Sequence, residues 1–282
     1  MKFEHTEVFN FEGALRGMRN PLNSWAKSDS IFSIECEHEG MYHSDEVADA
    51  WADYHLKDTT FATEDQHDKE WERVRDEAQA WLWDNGMTLM NADHHYAANY
   101  IGPNDMDLCR RLIKAGPEHR KFLRQIFVSV DITAPLYWWK EFDTYKIGTT
   151  ANSTSTMHKL ASTPITLECF ETDDYCGDLT YHELLLDQNE LPLEYKISDI
   201  VEDIIVTLEK LRQKYNETKD KRYWKELIRL LPNGWLQTRT VTMNYENLRS
   251  MAHQRSGHKL SEWHSFLDWV RELPYAKEFI IE

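Results

Sequence analysis

Between Ile197 and Leu211 the residues Ile197, Ile200, Val201, Ile204, Ile205, Leu208 and Leu211 recur at the spacing of one helix face. A helix over 197–214 carrying that stripe has to bury it against a second layer. The chain supplies more helices for such a layer. Ser44, followed by Asp45 and Glu46, predicts a helix over 44–58. Trp71, Val74, Ala78, Trp81 and Leu82 predict another over 66–85, stopped at Asn85-Gly86. A third begins at Asn104, with Met106, Leu108, Leu112 and Ile113 as its inner face, and ends at Gly116-Pro117. Tyr223 to Leu231 is expected to be helical up to Pro232-Asn233-Gly234, and two more helices follow at about 244–255 and 260–272.

Strand signals are fewer. Phe122 to Ile132 alternates in part and is rich in Val and Ile, and Leu236 to Met243 is β-branched and threonine-rich, so both are expected to be strands. Ala134 to Phe142 predicts a short helix with Pro135 in its first turn, and a second short helix is expected near Asn152 to Leu160. Residues 7–35 read as strand and loop, and 163–180 as loop. No internal repeat, low-complexity tract or βαβ alternation occurs. The expected fold is α+β and helix-rich, with a central, mainly antiparallel sheet, in a single domain over 1–282.

The formal net charge of −17 disfavours nucleic-acid binding, since an acidic surface repels phosphate backbones. One nucleotide in a local basic pocket remains compatible with it. Cys36, Cys109, Cys169 and Cys176 form no CxxC pair, which argues against a zinc ribbon and suits a reducing compartment. The segment MKFEHTEVFNFEGALRGMRNP has no apolar h-region, and no stretch approaches ~18 uninterrupted apolar residues. The expectation is a soluble, cytoplasmic protein without a membrane partner.

The densest chemistry lies between Asp131 and Leu160. After Trp138, Trp139, Lys146 and Gly148 comes the run Thr149, Thr150, Asn152, Ser153, Thr154, Ser155, Thr156. Short donors and acceptors beside aromatics suit a polar planar ligand, and a core does not need them. Each residue also has a plainer reading: the tryptophans as core, Ser155 and Thr150 as helix caps, and Asn152 as a cap. Arg16, Arg19 and Lys27 make a basic patch that is either an ordinary loop or the anion-binding edge of a site. His94-His95 and the trio His253, His258, His264 lack the i, i+4 pair with an acidic partner, so no metal is expected. No GxGxxG, Walker A or GxSxG pattern occurs.

Two separated stretches together resemble the flavin-dependent thymidylate synthases. That family carries a strand, an Ala-Pro step, a short helix and the motif RHRxxSxNxxSxRY. Here the strand is IFVSVDITAP, and Ala134-Pro135 sits one residue further from the motif. Setting Asn152 on the motif asparagine puts Thr150 and Ser155 on the two serines and His158 on the tyrosine. Upstream, Pro117-Glu118-His119 is similar to the Pro-x-Glu-His segment entering the same strand. In the second stretch Leu231-Pro232 leads to Thr242-Met243-Asn244, then a helix reaches Arg255 eleven residues later, and His258 and Trp263 follow. The likeness covers roughly 115–160 and 225–272 and leaves about 1–100 divergent.

The resemblance implies FAD as cofactor, NADPH and methylenetetrahydrofolate as co-substrates, dUMP as substrate, and a homotetramer with sites between subunits. It places His119, Lys146, Asn152 and Asn244 on the cofactor, and Thr150, Ser155, His158 and Arg255 on the nucleotide. Arg255 is the residue that would polarise the pyrimidine, because a guanidinium stabilises negative charge on a ring carbonyl or nitrogen. Taken alone, Arg255 equally reads as a surface arginine complementing a helix dipole. The chain departs from the motif at Tyr145-Lys146-Ile147, where the family has RHR, and at Ser153 and Met157, where it has a glutamate and an arginine. Two readings follow: a divergent enzyme of this kind, or a non-catalytic nucleotide-binding relative acting as a structural oligomer.

Overall fold

A computed structural model of the chain describes residues 1–34, 41–57, 59–84, 89–91, 98–186 and 192–282. The expected helix stop at Asn85-Gly86, the His94-His95 pair and Cys36 lie outside the described residues. In chain order the elements begin with β1 (Lys2–Phe9), α1 (Phe11–Arg19), β2 (Ile31–Ile34), β3 (Met41–His43), α2 (Ser44–Leu56) and α3 (Glu64–Asp84). They continue with β4 (Leu89–Asn91), β5 (Ala98–Tyr100), α4 (Pro103–Ala115), β6 (Phe127–Pro135), α5 (Leu136–Phe142), β7 (Thr150–Ser153) and α6 (Thr156–Lys159). The last third holds β8 (Thr180–Leu186), β9 (Pro192–Lys196), α7 (Ile197–Thr218), α8 (Lys221–Arg229), β10 (Leu236–Asn244), α9 (Tyr245–Arg255) and α10 (Ser261–Arg271).

The fold is α+β and helix-rich with antiparallel sheet. A four-stranded sheet has the order β1-β6-β10-β7, and three two-stranded sheets pair β2 with β5, β3 with β4 and β8 with β9. The chain divides into two compact units. The first holds Met1–Phe3, Asp131–Lys146 and Ala151–Thr240; the second holds Glu4–Val130, Ile147–Thr150 and Val241–Glu282.

In the first unit the 197–211 stripe becomes α7, and its burial is graded. Leu208 is fully buried with Leu160, Ile165, Phe170 and Leu227, while Ile204, Ile205 and Leu211 pack at the margin of that cluster. Polar residues of α7 hold the loop after α6. Glu209 accepts from the Ile165 N–H at 2.9 Å and from both ends of the Arg212 guanidinium, and Asn216 donates to the Ala161 carbonyl at 2.8 Å. The hydrogen-bonded Arg212 pulls the Glu209 carboxyl down to about 2. Trp138 and Trp139 are core, fully buried on α5, and the Trp139 indole donates to the Gln237 carbonyl on β10.

In the second unit the core is aromatic. Phe11 of α1 meets Tyr245 of α9 and Tyr275 edge-on at 5.8 and 5.9 Å, and Phe279 packs on Phe122 at 5.7 Å. Buried hydroxyls there find partners, as required: Tyr245 donates to the Pro274 carbonyl, and Tyr275 donates to the Asn99 carbonyl while accepting from the Ile101 N–H.

Three expectations are corrected. Residues 11–19, read as part of a strand-and-loop segment, form helix α1 with Phe11, Ala14, Leu15 and Met18 buried at helical spacing. Its glycines serve close packing and not turns: a methyl on Gly17 would stand 2.7 Å from Gln125 Oε1. The strand expected from Phe122 begins only at Phe127, because Lys121–Arg124 form a 3₁₀ turn that buries Phe122 and Leu123. Asn152 lies in strand β7, and the helix expected from it starts at Thr156.

Candidate functional site

The polar run after Lys146 is displayed, not packed. All four residues of β7 are exposed, including Thr150 and Asn152. Thr154 continues the pairing, donating its N–H to the Thr238 carbonyl, and Gln237 Nε2 donates to the Thr154 carbonyl at 2.9 Å. Ser155 is a helix cap: its hydroxyl accepts the His158 N–H at 3.2 Å at the start of α6. Asn152, inside the strand, is no cap. His158 and Lys146 are exposed, as are Ile147 at 90% and Met157 at 54%.

Gly148 joins the two motif-bearing stretches. With φ +80°, it lies against the N-terminus of α9, where an added methyl would meet Asn247 Oδ1 at 2.9 Å and Asn244 Nδ2 at 3.0 Å. Left-handed φ and lack of room both demand glycine here. Asn247 Nδ2 donates to the Ile147 carbonyl at 2.6 Å and fastens the turn. Asn244 and Asn247 cap α9 reciprocally: Asn244 Oδ1 accepts the Asn247 N–H, and Asn247 Oδ1 accepts the Asn244 N–H. The Asn244 side-chain carbonyl is thus used by the cap, and its amide Nδ2 faces the Gly148 turn.

Arg255 ends the same helix, so about 16 Å of helix axis separate it from Asn244 at 1.5 Å per residue. Its guanidinium lies 4.7 Å above the ring of Trp263. The site residues therefore fall into two units. Lys146, Asn152, Ser155 and His158 belong to the first; His119, Thr150, Asn244 and Arg255 belong to the second. Within the second, the Gly148 turn and Asn244 come together, and Arg255 stands a helix length away.

His119 edges a cavity of about 630 Å³ in the second unit, which Arg19, Lys27, Arg111 and Lys121 also line. Of these, Arg19 is paired with buried Asp105 and Arg111 with Asp107 at 2.9 Å, which leaves Lys27 and Lys121 on a lining that also holds Glu118. Leu22, Leu108, Leu112 and Phe122 supply apolar wall. The basic patch is thereby resolved residue by residue. Arg16 pairs with Glu12 on the surface, Arg19 is buried against Asp105, and Lys27 remains on the cavity lining.

Arg19 belongs to a network that the sequence reading missed. Asp105, fully buried, accepts from Arg19 Nε at 2.5 Å and from the Ser28 and Ser30 hydroxyls at 2.6 Å. Asp29 accepts the Asn104 and Asp105 N–H groups at the start of α4, and burial pushes its pKa up. The run Ser28-Asp29-Ser30, a set of capping residues with no helix directly after it, was the available signal. On α9, burial and the charges of Arg249 and Arg120 hold the His253 pKa down.

Comparison with known proteins adds similarity and no identity. No family model matches the chain. No curated protein matches it. Among solved structures, flavin-dependent thymidylate synthase ThyX from Helicobacter pylori, complexed with FAD and dUMP, is 15% identical with a TM-score of 0.45, covering 90% of this chain and 98% of that one. A second structure of the same enzyme with FAD and dUMP gives 14% and 0.44, covering 89% and 98%. The UMP/dUMP methylase PolB from Streptomyces cacaoi, bound with 5-Br UMP, gives 14% and 0.34, covering 53% and 63%.

Proposed function

We propose that this chain is a divergent relative of the flavin-dependent thymidylate synthases that binds a pyrimidine nucleotide and acts on dUMP, yielding dTMP. FAD is its cofactor, with NADPH and methylenetetrahydrofolate as co-substrates. The observation carrying this reading is the seat of the Gly148 turn on Asn244 and Asn247, which joins two motif-like stretches 100 residues apart.

A flavin dinucleotide needs donors for its pyrophosphate and a polar edge for its ring. His119, Lys121 and Lys27 on the cavity fit the first need; Asn244 Nδ2 at the Gly148 turn fits the second. When bound, the flavin supplies the hydride. The protein's own residues bind and polarise. Thr150, Ser155 and His158 are set against the nucleotide, Thr150 and His158 as exposed donors and acceptors and Ser155 as the cap of α6, while Asn152, exposed on β7, is set against the cofactor. Arg255 aims a fixed positive charge at a pyrimidine carbonyl.

The non-catalytic reading is favoured by one specific pair. Ile147 and Met157, both exposed, stand where the related motif carries arginines. Apolar side chains there suit contact with a protein surface better than contact with phosphate. Absorbance from 350 to 500 nm with added FAD, followed by tritium release from 5-labelled dUMP, separates the two. A flavin spectrum with tritium release supports the enzyme. A colourless protein that takes up dUMP without release supports the binding relative.

A further inference from the structure

We infer that Trp263 is the positioning residue for Arg255, holding in place the guanidinium that meets the nucleotide. This inference rests on the nucleotide role proposed for Arg255 and takes it one step further.

The geometry is a platform under a charge. Trp263 lies in the first turn of α10 and is fully buried. Its ring is wedged edge-on between Phe266 at 5.5 Å and His258 at 6.1 Å. The Arg255 guanidinium carbon lies 4.7 Å from the ring centroid, within cation–π range. Trp263 gives the strongest such face among the aromatic side chains.

The link between the two residues is itself fixed. The His258 N–H donates to the Arg255 carbonyl at 3.0 Å, closing a turn directly after α9. His258 Nδ1 then accepts the Leu260 N–H at 3.2 Å, and the His258 carbonyl accepts from His264 Nε2 at 2.8 Å. The segment between α9 and α10 is therefore tied at both ends, and it sets Trp263 beneath Arg255.

An arginine at a helix C-terminus otherwise samples several rotamers, and ordering it on binding costs entropy. Stacking removes that cost in advance. A guanidinium held against an indole face keeps its planar fork of donors in one orientation. A donor pair in a fixed plane suits a planar pyrimidine edge, and lysine in its place would lose both the plane and the fork.

Two readouts test this, one independent of any ligand. In a ¹H–¹⁵N spectrum, the Arg255 Nε–Hε signal, assigned by its loss in Arg255→Lys, should be shifted upfield by the indole. The shift should shrink in Trp263→Phe and vanish in Trp263→Leu, with thermal melts confirming that each variant folds. In calorimetric titration with dUMP, Trp263→Phe should weaken binding severalfold and Trp263→Leu at least tenfold. The double variant with Arg255→Ala should bind no worse than Arg255→Ala alone. An unshifted Arg255 signal in the unmodified protein would overturn the inference, as would unchanged dUMP affinity in folded Trp263→Leu or additive losses in the double variant. If Trp263→Leu does not fold, Trp263→Phe and Trp263→Tyr carry both readouts. If the unmodified protein takes up no dUMP, the functional reading fails, and the Arg255 signal still decides whether Trp263 orients it.

Discussion

At the scale of single residues, the pair Arg19 and Asp105 is a costly arrangement to bury. Both are buried, at 4% and 0% exposure. Their mutual attraction offsets desolvation only while Ser28, Ser30 and the Ser24 carbonyl complete the hydrogen bonds around them. Asp105→Asn removes the charge and leaves Arg19 uncompensated in the interior. The expected loss is about 3–5 kcal/mol, read as a lower urea midpoint with an unchanged slope. A loss below about 1 kcal/mol would mean that solvent reaches the pair. This network also marks where sequence reading ends. Arg19 was legible as a cation in a patch, but its partner lies 86 positions away and sits in a helix whose inner face was assigned to Met106, Leu108, Leu112 and Ile113. Leu108 and Leu112 face the cavity instead, and Asp105 takes the buried place. No periodicity announces a buried carboxylate.

At the scale of elements, the joint that most affects the proposed site is the Gly148 turn on the N-terminus of α9. Gly148→Ala places a methyl against Asn244 and Asn247 and forces an L-residue into φ +80°. The backbone penalty alone is about 1–2 kcal/mol, and relief requires lifting the turn off the helix. Amide exchange should therefore speed up at residues 147–150, and α9 should lose protection in its first turn, while α7 and α8 keep theirs. Uniform loss across all helices would show that the turn supports the whole fold and not just this joint. Legibility followed periodicity here too. The α7 stripe was readable because its apolar residues recurred at helical spacing, and β10 because its residues are β-branched and threonine-rich. Strand β7 has no buried residue at all, so its pattern carried no period and its polar run read as the start of a helix. Helix α1 was hidden by Gly13 and Gly17, which read as turn residues until their packing is seen. The Thr-x-Asn step ending β10 was legible as a motif, but its reciprocal cap with Asn247 and its grip on Ile147 come only from three dimensions.

At the scale of the whole molecule, Asn244, set against the cofactor, and Arg255, set against the nucleotide, stand about 16 Å apart along α9. Strand β7 is exposed along its length, and Ile147 and Met157 hold large apolar side chains in water. Apolar exposure beside a polar strand is what an interface presents before it is covered. We therefore expect self-association, a homotetramer if the resemblance extends to assembly, with Arg255 of one copy completing the turn of another. Light scattering should report several times the mass of one chain, and Ile147→Asp with Met157→Asp should shift it toward one. Complementation then tests the sharing of residues. His158→Ala and Arg255→Ala, each deficient in dUMP binding, should regain sites when unfolded together and refolded as mixed oligomers, since some sites would then draw both intact residues. A mixture that binds no more than the two variants apart would place each site within a single chain, and a clean monomer at working concentration would remove the shared site altogether.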